Sequence, residues 1–394
     1  MQIDSGAEWI VNRLEQAGYE AYVVGGCVRD ALMGMQPKDW DITTSARPEK
    51  VKAIFPKTFD TGIEHGTVSV LYDHTVYEVT TYRIDGDYSD HRRPDHVLYT
   101  SLLYEDLARR DFTINAMAYH PQRGLVDYFS GQQDLKEKRI QCVGEAEQRF
   151  EEDALRMLRA VRFSARLAFS IEDATLRAIR KKAPSLAHVS RERVADEVTQ
   201  ILLCQHPEGL SRIVDTGLAP WISQELGQGE QLDFLAPARV KGQKALRFAA
   251  LLHRFGAERA ARILQELKLD NATKRDVVHL LTFIGAALPQ NRRDMRFFLH
   301  ELGADYFDAL CELKRAAGQN GEQELLAAYA LYETEKAACL TLAQLAVSGR
   351  DLMEAGAVSG RALGAQLQQL LNLVLENPEM NERESLMQYF RENC

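Results

Sequence analysis

The sequence predicts an α+β protein: a small mixed α/β head with a short β-sheet over residues 1–145, then an elongated all-α remainder. Three observations predict it. Before residue 145, β-branched runs such as "TVSVLY" (67–72) and "TVYEVTTYR" (75–83) alternate with short helical patterns. After Arg149 such runs almost vanish, and stretches at helical spacing take over, as in "ALRFAALLHRF" (245–255) and "RALGAQLQQLLNLVLE" (361–376). At 394 residues the chain is also longer than one core usually supports.

Each element follows in order. Residues 7–17 read as an amphipathic helix. "YEAYVVGG" (19–26) reads as a strand running into a glycine turn, and "CVRDALMG" (27–34) as a short helix that stops at Gly34. "DWDITT" (39–44), between Pro37 and Pro48, reads as a strand. The two β-branched runs, joined by Asp73-His74, read as a hairpin. "DGDYSDHRRPDH" (85–96) is a polar loop, "RRDFTINAMAYHP" (109–121) a helix start or strand edge, and "GLVDYF" with "SGQQDL" closes the head. The helical part breaks near "LCQHPEG", "SQELGQGEQ", "GAALPQN" and "AAGQNGEQ". We expect four parts: 1–145, 146–205, 206–300 and 301–394.

Composition narrows the class. Hydrophobic content is 45% and charged content 27%, as in an ordinary globular protein. The start lacks a basic segment followed by an apolar run, so no secretory signal is expected. No apolar run approaches the ~20 residues that span a bilayer, so no membrane partner is expected. The six cysteines (27, 142, 204, 311, 339, 394) form no CxxC, which argues against a disulfide framework or zinc and suits a reducing cytoplasm. The net charge of −9 counts against a nucleic-acid partner. Residues 149–193, however, hold eleven Arg and Lys against six acids, net +5, so the rest carries −14. A basic waist on an acidic body can hold a polyanion locally.

The chemistry-bearing residues lie in two places. Asp39 and Asp41 are two apart, and on a strand i and i+2 share a face. Their carboxylates would converge, and close carboxylates repel unless a cation sits between them or one takes a proton. Mg²⁺ suits such a pair, with waters and phosphates completing its shell. A lone DxD is more readily a solvated strand edge. Gly25-Gly26 between strand and helix adds a turn that a ligand can approach closely, backed by N–H groups that favour an anion. Arg29 on that helix makes more sense beside a polyphosphate. Glu78, on the hairpin, either faces water or joins the pair as a third carboxylate.

The second place is "EEDALRMLRAVRF" (151–163). Asp153, Arg156, Arg159 and Arg162 recur every three residues, a slowly winding stripe if the segment is one helix. The bland reading is a solvated stripe. A carboxylate beside a guanidinium, however, matches the Watson–Crick edge of C or A and mismatches U and G. The residues alone therefore suggest a metal-dependent nucleotide site selecting C and A.

At this point the motifs resemble a known family. "GGCVRDALMGMQPKDWD" resembles the signature of the nucleotidyltransferase superfamily. "RRDFTINAMAY", "EEDALRMLRAVRF" and "SRERVADEVTQILL" (190–203) are similar to motifs of the class II tRNA nucleotidyltransferases, the CCA-adding enzymes of bacterial type. The resemblance implies a palm-like head followed by neck, body and tail. It implies Mg²⁺ held by Asp39 and Asp41 with Glu78 as third carboxylate. Gly25, Gly26 and Arg29 would meet phosphates and sugar, and Arg110 the nucleotide. Asp153 and Arg156 would read the base, with Arg159 and Arg162 in support. The implied partners are tRNA, CTP and ATP, with room for a homodimer. The loop at 85–96 resembles one the family uses for adding the terminal A. "RAIRKK" (177–182), "TKRD" (273–276) and "NRRDMR" (291–296) are candidate phosphate contacts, or merely solvated helix ends. Adding only A, poly(A) synthesis and a non-catalytic RNA-binding scaffold are the alternatives. The acidic end, residues 351–394 at net −4, weighs against poly(A) synthesis.

Overall fold

The computed structural model describes residues 1–85, 97–228, 232–357 and 359–393. The loop read at 85–96 therefore lies almost wholly outside the described residues. The chain divides into two compact units, Met1–Glu230 with Gln265–Leu269, and Gln231–Leu264 with Asp270–Cys394.

The head is built on a seven-stranded sheet. Its elements begin α1 (Ser5–Gln16), β1 (Ala21–Val24), α2 (Gly26–Leu32), β2 (Asp41–Thr44), α3 (Pro48–Ile54) and β3 (Thr58–Gly62). β4 (Thr67–Tyr72), β5 (Thr75–Thr81), β6 (Arg83–Asp85), β7 (Val97–Tyr99) and α4 (Leu103–Ala108) follow. β8 (Met117–His120), β9 (Gly124–Asp127) and α5 (Gly131–Lys136) complete it. The spatial order is β3-β4-β5-β2-β1-β8-β9. Only β2 and β5 pair in parallel; the other neighbours are antiparallel.

Local chemistry explains the pieces. Asp4 caps α1, accepting from Gly6 N and Ala7 N at 2.9 and 3.1 Å. Ala7, Ile10, Val11 and Leu14 then bury one stripe of the helix. Central β1 is buried on both faces. Ala21 and Val23 join Ile42, Val68, Val79 and α1 on one side, while Tyr22 and Val24 meet Tyr82, Leu103 and Leu107 on the other. Asp73 and His74 both take positive φ, 43° and 62°, as a type I′ hairpin turn requires. "RRDFTINAMAY" resolves into a 3-10 turn, Thr113–Asn115, that feeds β8.

After the head come a short strand β10 (Arg139–Ile140), α6 (Ala146–Glu152), α7 (Leu155–Leu167), β11 (Ser170–Ile171), α8 (Asp173–Lys182) and α9 (Arg191–Leu203). β10 and β11 pair in parallel, the one small sheet found past the head among the described residues.

The second unit is helical, and two buried cations close its helices. Lys314, 1% exposed, donates from Nζ to Ile284 O and Ala286 O, both at 2.6 Å, past the end of helix Asn271–Phe283. Arg296 in helix Arg292–Leu302 donates to Leu375 O and Glu376 O at the end of helix Arg361–Glu376, and pairs with Glu335 at 2.8 Å. Part of "NRRDMR" is therefore structural, because burial and helix capping have claimed its arginine. Arg293 pairs with Glu376 and Arg292 with Glu335. In "RAIRKK", Lys181 pairs with Glu147, Lys182 with Glu151, and Arg180 donates to Asp215 O. In "TKRD", Arg275 pairs with Asp276.

Candidate active site

The strand pairing brings the first carboxylates together. In the parallel β2–β5 register, Asp41 stands opposite Glu78, so both side chains leave the same face of the sheet. Thr43, two residues along on that face, donates to Asp106 Oδ2 on α4 at 3.1 Å. Asp39 differs from expectation: it lies in a bend before the strand, which begins only at Asp41. Ladder pairing begins at Asp41, opposite Glu78 of β5, and β1 on the other side ends at Val24. Strand alternation therefore does not align Asp39 with Asp41. Asp39 nevertheless acts on Asp41 through space.

The electrostatics record that crowding. Loss of solvent around the carboxyl raises the Asp41 pKa, Arg110 opposes the rise, and Glu78 and Asp39 add to it. Loss of solvent is the largest of these effects, and the neighbouring carboxylates add to it against Arg110. Among the described residues no three Asp, Glu, His or Cys side chains converge tightly enough to cage an ion as they stand. The donor set is right for a hard divalent cation: carboxylate oxygens of Asp41 and Glu78 on adjacent strands.

Cations flank this face. Gly25 takes φ +85°, and a Cβ there would fall 2.8 Å from Arg110 Nη1. The positive φ calls for glycine at this turn, and any side chain there would also displace the Arg110 guanidinium. Buried Asp106 orients two guanidinium groups, Arg109 at 2.8 Å and Arg110 at 3.5 Å. Burial would raise the Asp106 pKa, but Arg109, Arg110 and the Thr43 hydroxyl outweigh it, and the net shift is downward. Arg29 is 3% exposed and faces inward, donating to Asp30 Oδ1 at 2.7 Å and Asn115 Oδ1 at 2.5 Å. A Cβ on Gly26 would lie 3.6 Å from Arg29 Nη2, so the arginine backs the glycine turn.

The arginine segment also departs from expectation. "EEDALRMLRAVRF" is two helices, α6 and α7, and Asp153 sits in the break with extended φ −144°, ψ 104°. Asp153 does not pair with Arg156. Its Oδ1 accepts from Leu155 N at 3.1 Å, and its Oδ2 pairs with Arg193 of α9 at 2.8 Å. The first satisfies an orphan N–H at the start of α7, and the second pairs the carboxylate with a half-buried cation. Arg156 instead pairs with Glu152 at 2.5 Å and donates to the carbonyls of Arg149 and Arg109. Arg159 pairs with Asp111 at 2.6 Å, and Arg162 with Glu197 at 2.7 Å. Burial alone would raise the Asp111 pKa, yet Arg159 and the Asn115 amide hold it down at about 2.

These residues enclose a cavity of about 300 Å³ lined by Arg109, Arg110, Asp111, Asp153, Leu155, Arg156, Arg159 and Arg193. That is the low end for a small-molecule site. A larger hollow of about 890 Å³ lies against Met1–Ser5 and Trp40, but its lining holds acids and no cation. The smaller cavity is the one lined by several arginines. The structure thus gathers Asp153, Arg156, Arg159 and Arg110 around one space. Arg162 stands behind it on Glu197, and Arg29 behind the glycine turn. Sequence reasoning missed Asp106, Asp111, Asn115, Arg193 and Glu197. Asp111 and Asn115 were in plain view inside "RRDFTINAMAY", but only their partners reveal their work.

Comparison with known proteins is consistent along the chain. Residues 21–141 match the Poly A polymerase head domain, 168–227 the probable RNA and SrmB-binding site of polymerase A, and 242–390 a putative tRNA nucleotidyltransferase domain 2. The CCA-adding enzyme of Geobacillus thermodenitrificans is 45% identical over 284 residues, 71% of this chain and 70% of that one. That of Lactobacillus gasseri is 36% identical over 391 residues, 98% of this chain and 96% of that one. Among solved structures, the Bacillus stearothermophilus CCA-adding enzyme in complex with CTP superposes with a TM-score of 0.85 at 33% identity, covering 98% of this chain and 96% of that one. The Thermotoga maritima enzyme complexed with tRNA-CCA, at 21% identity and TM-score 0.67, shares the fold.

Proposed function

The chain belongs to the CCA-adding enzymes, and from that premise we propose how its own residues carry out the family's reaction. The chain adds C, C and A to the 3′ end of tRNA from CTP and ATP without a nucleic-acid template. The tRNA 3′-hydroxyl attacks the α-phosphorus, its proton is lost, and pyrophosphate leaves. The carrying observation is the parallel register that sets Asp41 beside Glu78, with Asp39 close enough to raise Asp41's proton affinity.

A divalent cation, which we take to be Mg²⁺, would be held by Asp39 and Asp41 with Glu78 as third carboxylate. When bound, it neutralises charge on the triphosphate and the attacking oxygen. Gly25 and Gly26 let the backbone approach the phosphates. Arg110, held by Asp106, adds positive charge beside them. Asp153, aimed by Leu155 N and Arg193, accepts from the amino group of C or A, and Arg156 donates to the adjacent ring atom. Arg159 and Arg162 hold the wall.

We further propose the four-part division 1–145, 146–205, 206–300 and 301–394, supported by the strand-to-helix change near residue 145. Cytoplasmic residence is supported by the free thiols of Cys27, Cys142, Cys204, Cys311 and Cys339. Among the described residues no helix is long and apolar enough to cross a membrane.

One incubation tests the reading. Purified protein with Mg²⁺ is given tRNA ending before C, after C, and after CC, with each nucleotide offered separately. The expected products are one or two C, then a single A. Addition of A alone, or of long A tails, would overturn it.

A further inference from the structure

The break between α6 and α7 leaves a question that the pocket residues do not answer. The phosphate end of the site sits on α2, and the base-reading wall sits on α7. Something must hold the two in register.

We infer that Asn115 is a positioning residue that couples the glycine-turn end of the site to the nucleotide-reading wall and thereby sharpens discrimination between nucleotides. The inference rests on the proposed reading of the pocket and deepens it.

The contacts form one continuous line. Arg29 Nη1 on α2 donates to Asn115 Oδ1 at 2.5 Å. Asn115 Nδ2 donates to Asp111 Oδ1 at 3.0 Å. Asp111 Oδ2 accepts from Arg159 Nε and Nη2 on α7 at 2.8 and 2.6 Å. Arg166, one helical stretch further along α7, returns to Asp30 of α2 at 3.3 Å and closes the ring. Arg29, Asp111 and Asn115 are all buried, at 3, 8 and 6% exposure, so water does not replace these bonds.

Only an amide fits the middle of this line. Its oxygen must accept from a guanidinium and its nitrogen must donate to a carboxylate. An aspartate would keep the first bond and repel Asp111. A serine is too short to span both. The partners also fix which way the amide points, since the reverse orientation would set donor against donor and acceptor against acceptor. A displacement of Arg29 is thus transmitted to Arg159, which lines the cavity.

A purely structural asparagine would lower stability when replaced and leave nucleotide choice alone. The test therefore reads a ratio: kcat/KM for CTP over that for UTP, on tRNA ending before the first C, within one protein preparation. The fraction of folded protein cancels in such a ratio. In Asn115→Ser we expect the ratio to fall about tenfold, mid-range for residues coupled through direct contacts. We expect kcat to drop more than KM rises. The near-isosteric Asn115→Asp should show the same loss, which guards against a folding defect peculiar to the serine. Combining Asn115→Ser with Arg159→Lys should cost less than the product of the two single losses. An unchanged CTP-to-UTP ratio in both variants, or strictly multiplicative losses, overturns the inference. Wild-type protein that adds neither C nor A overturns the underlying reading instead, so the two failures are distinguishable.

Discussion

The two ends of the site handle charge in opposite ways. At the sheet, Asp39, Asp41 and Glu78 crowd like charges together, and among the described residues no ion pair engages their carboxylates. At the neck, the arginines in and behind the pocket wall have carboxylates: Arg193 with Asp153, Arg156 with Glu152, Arg159 with Asp111, Arg162 with Glu197. The difference bears on the role proposed for each end. Crowded carboxylates repel one another, and a cation held between them, as proposed, would relieve that repulsion. A paired arginine wall stores no such repulsion. Its side chains are held by their ion pairs, which suits the base-reading role proposed for them.

The strongest way to break this comparison is at the sheet. Asp41→Asn should reduce nucleotide incorporation by about a thousandfold or more, several kcal/mol of lost charge stabilisation, with tRNA binding nearly intact. Single-turnover incorporation with a filter-binding control measures both, and substantial residual turnover would remove the metal role from Asp41.

A smaller effect should appear at the neck. Asp153→Ala should cut preference for C and A over U and G by about ten- to a hundredfold, the worth of one good base contact, while tRNA affinity changes little. Competition between the four nucleotides reads it. Retained preference would assign base reading to other residues.

The smallest effect sharpens the claim of stored repulsion. Asp41 has a raised pKa in the folded protein. For an acid, that means its ionised form is the one folding disfavours. The penalty is absent at low pH, where Asp41 is protonated folded or unfolded, and grows as pH rises through the folded-state pKa. Asp41→Asn without divalent ions should therefore raise Tm at neutral pH by about a degree. The gain should shrink on acidification. A lower Tm at neutral pH would mean that the carboxylate is stabilising, and the contrast between the two ends would fail.

Much of the site was legible because it was local. Alternating β-branched residues located β4 and β5, and Asp73-His74 located their turn. The helical texture after Arg149 marked the end of the head. Asp41, Glu78, Asp153 and Arg156 stood out as residue types that such chemistry needs. What failed was continuity. Asp39 looked like strand because the Asp-Trp-Asp pattern runs unbroken into the β-branched residues of β2, which begins only at Asp41. Asp153 looked helical because Asp, Arg and Leu spacing continues through the break between α6 and α7.

The sequence by itself determined which residue types were available, the hairpin, the helical remainder and the family motifs, since all of these depend on neighbours within a few positions. Only the tertiary structure decided partners: Glu78 against Asp41 through a parallel register, Arg193 rather than Arg156 on Asp153, Arg296 spent on a helix end, and Asn115 between two arginine systems. Those pairings join residues tens of positions apart. Burial chooses among the available charges, and a buried charge must find whichever opposite charge or carbonyl the packing places beside it.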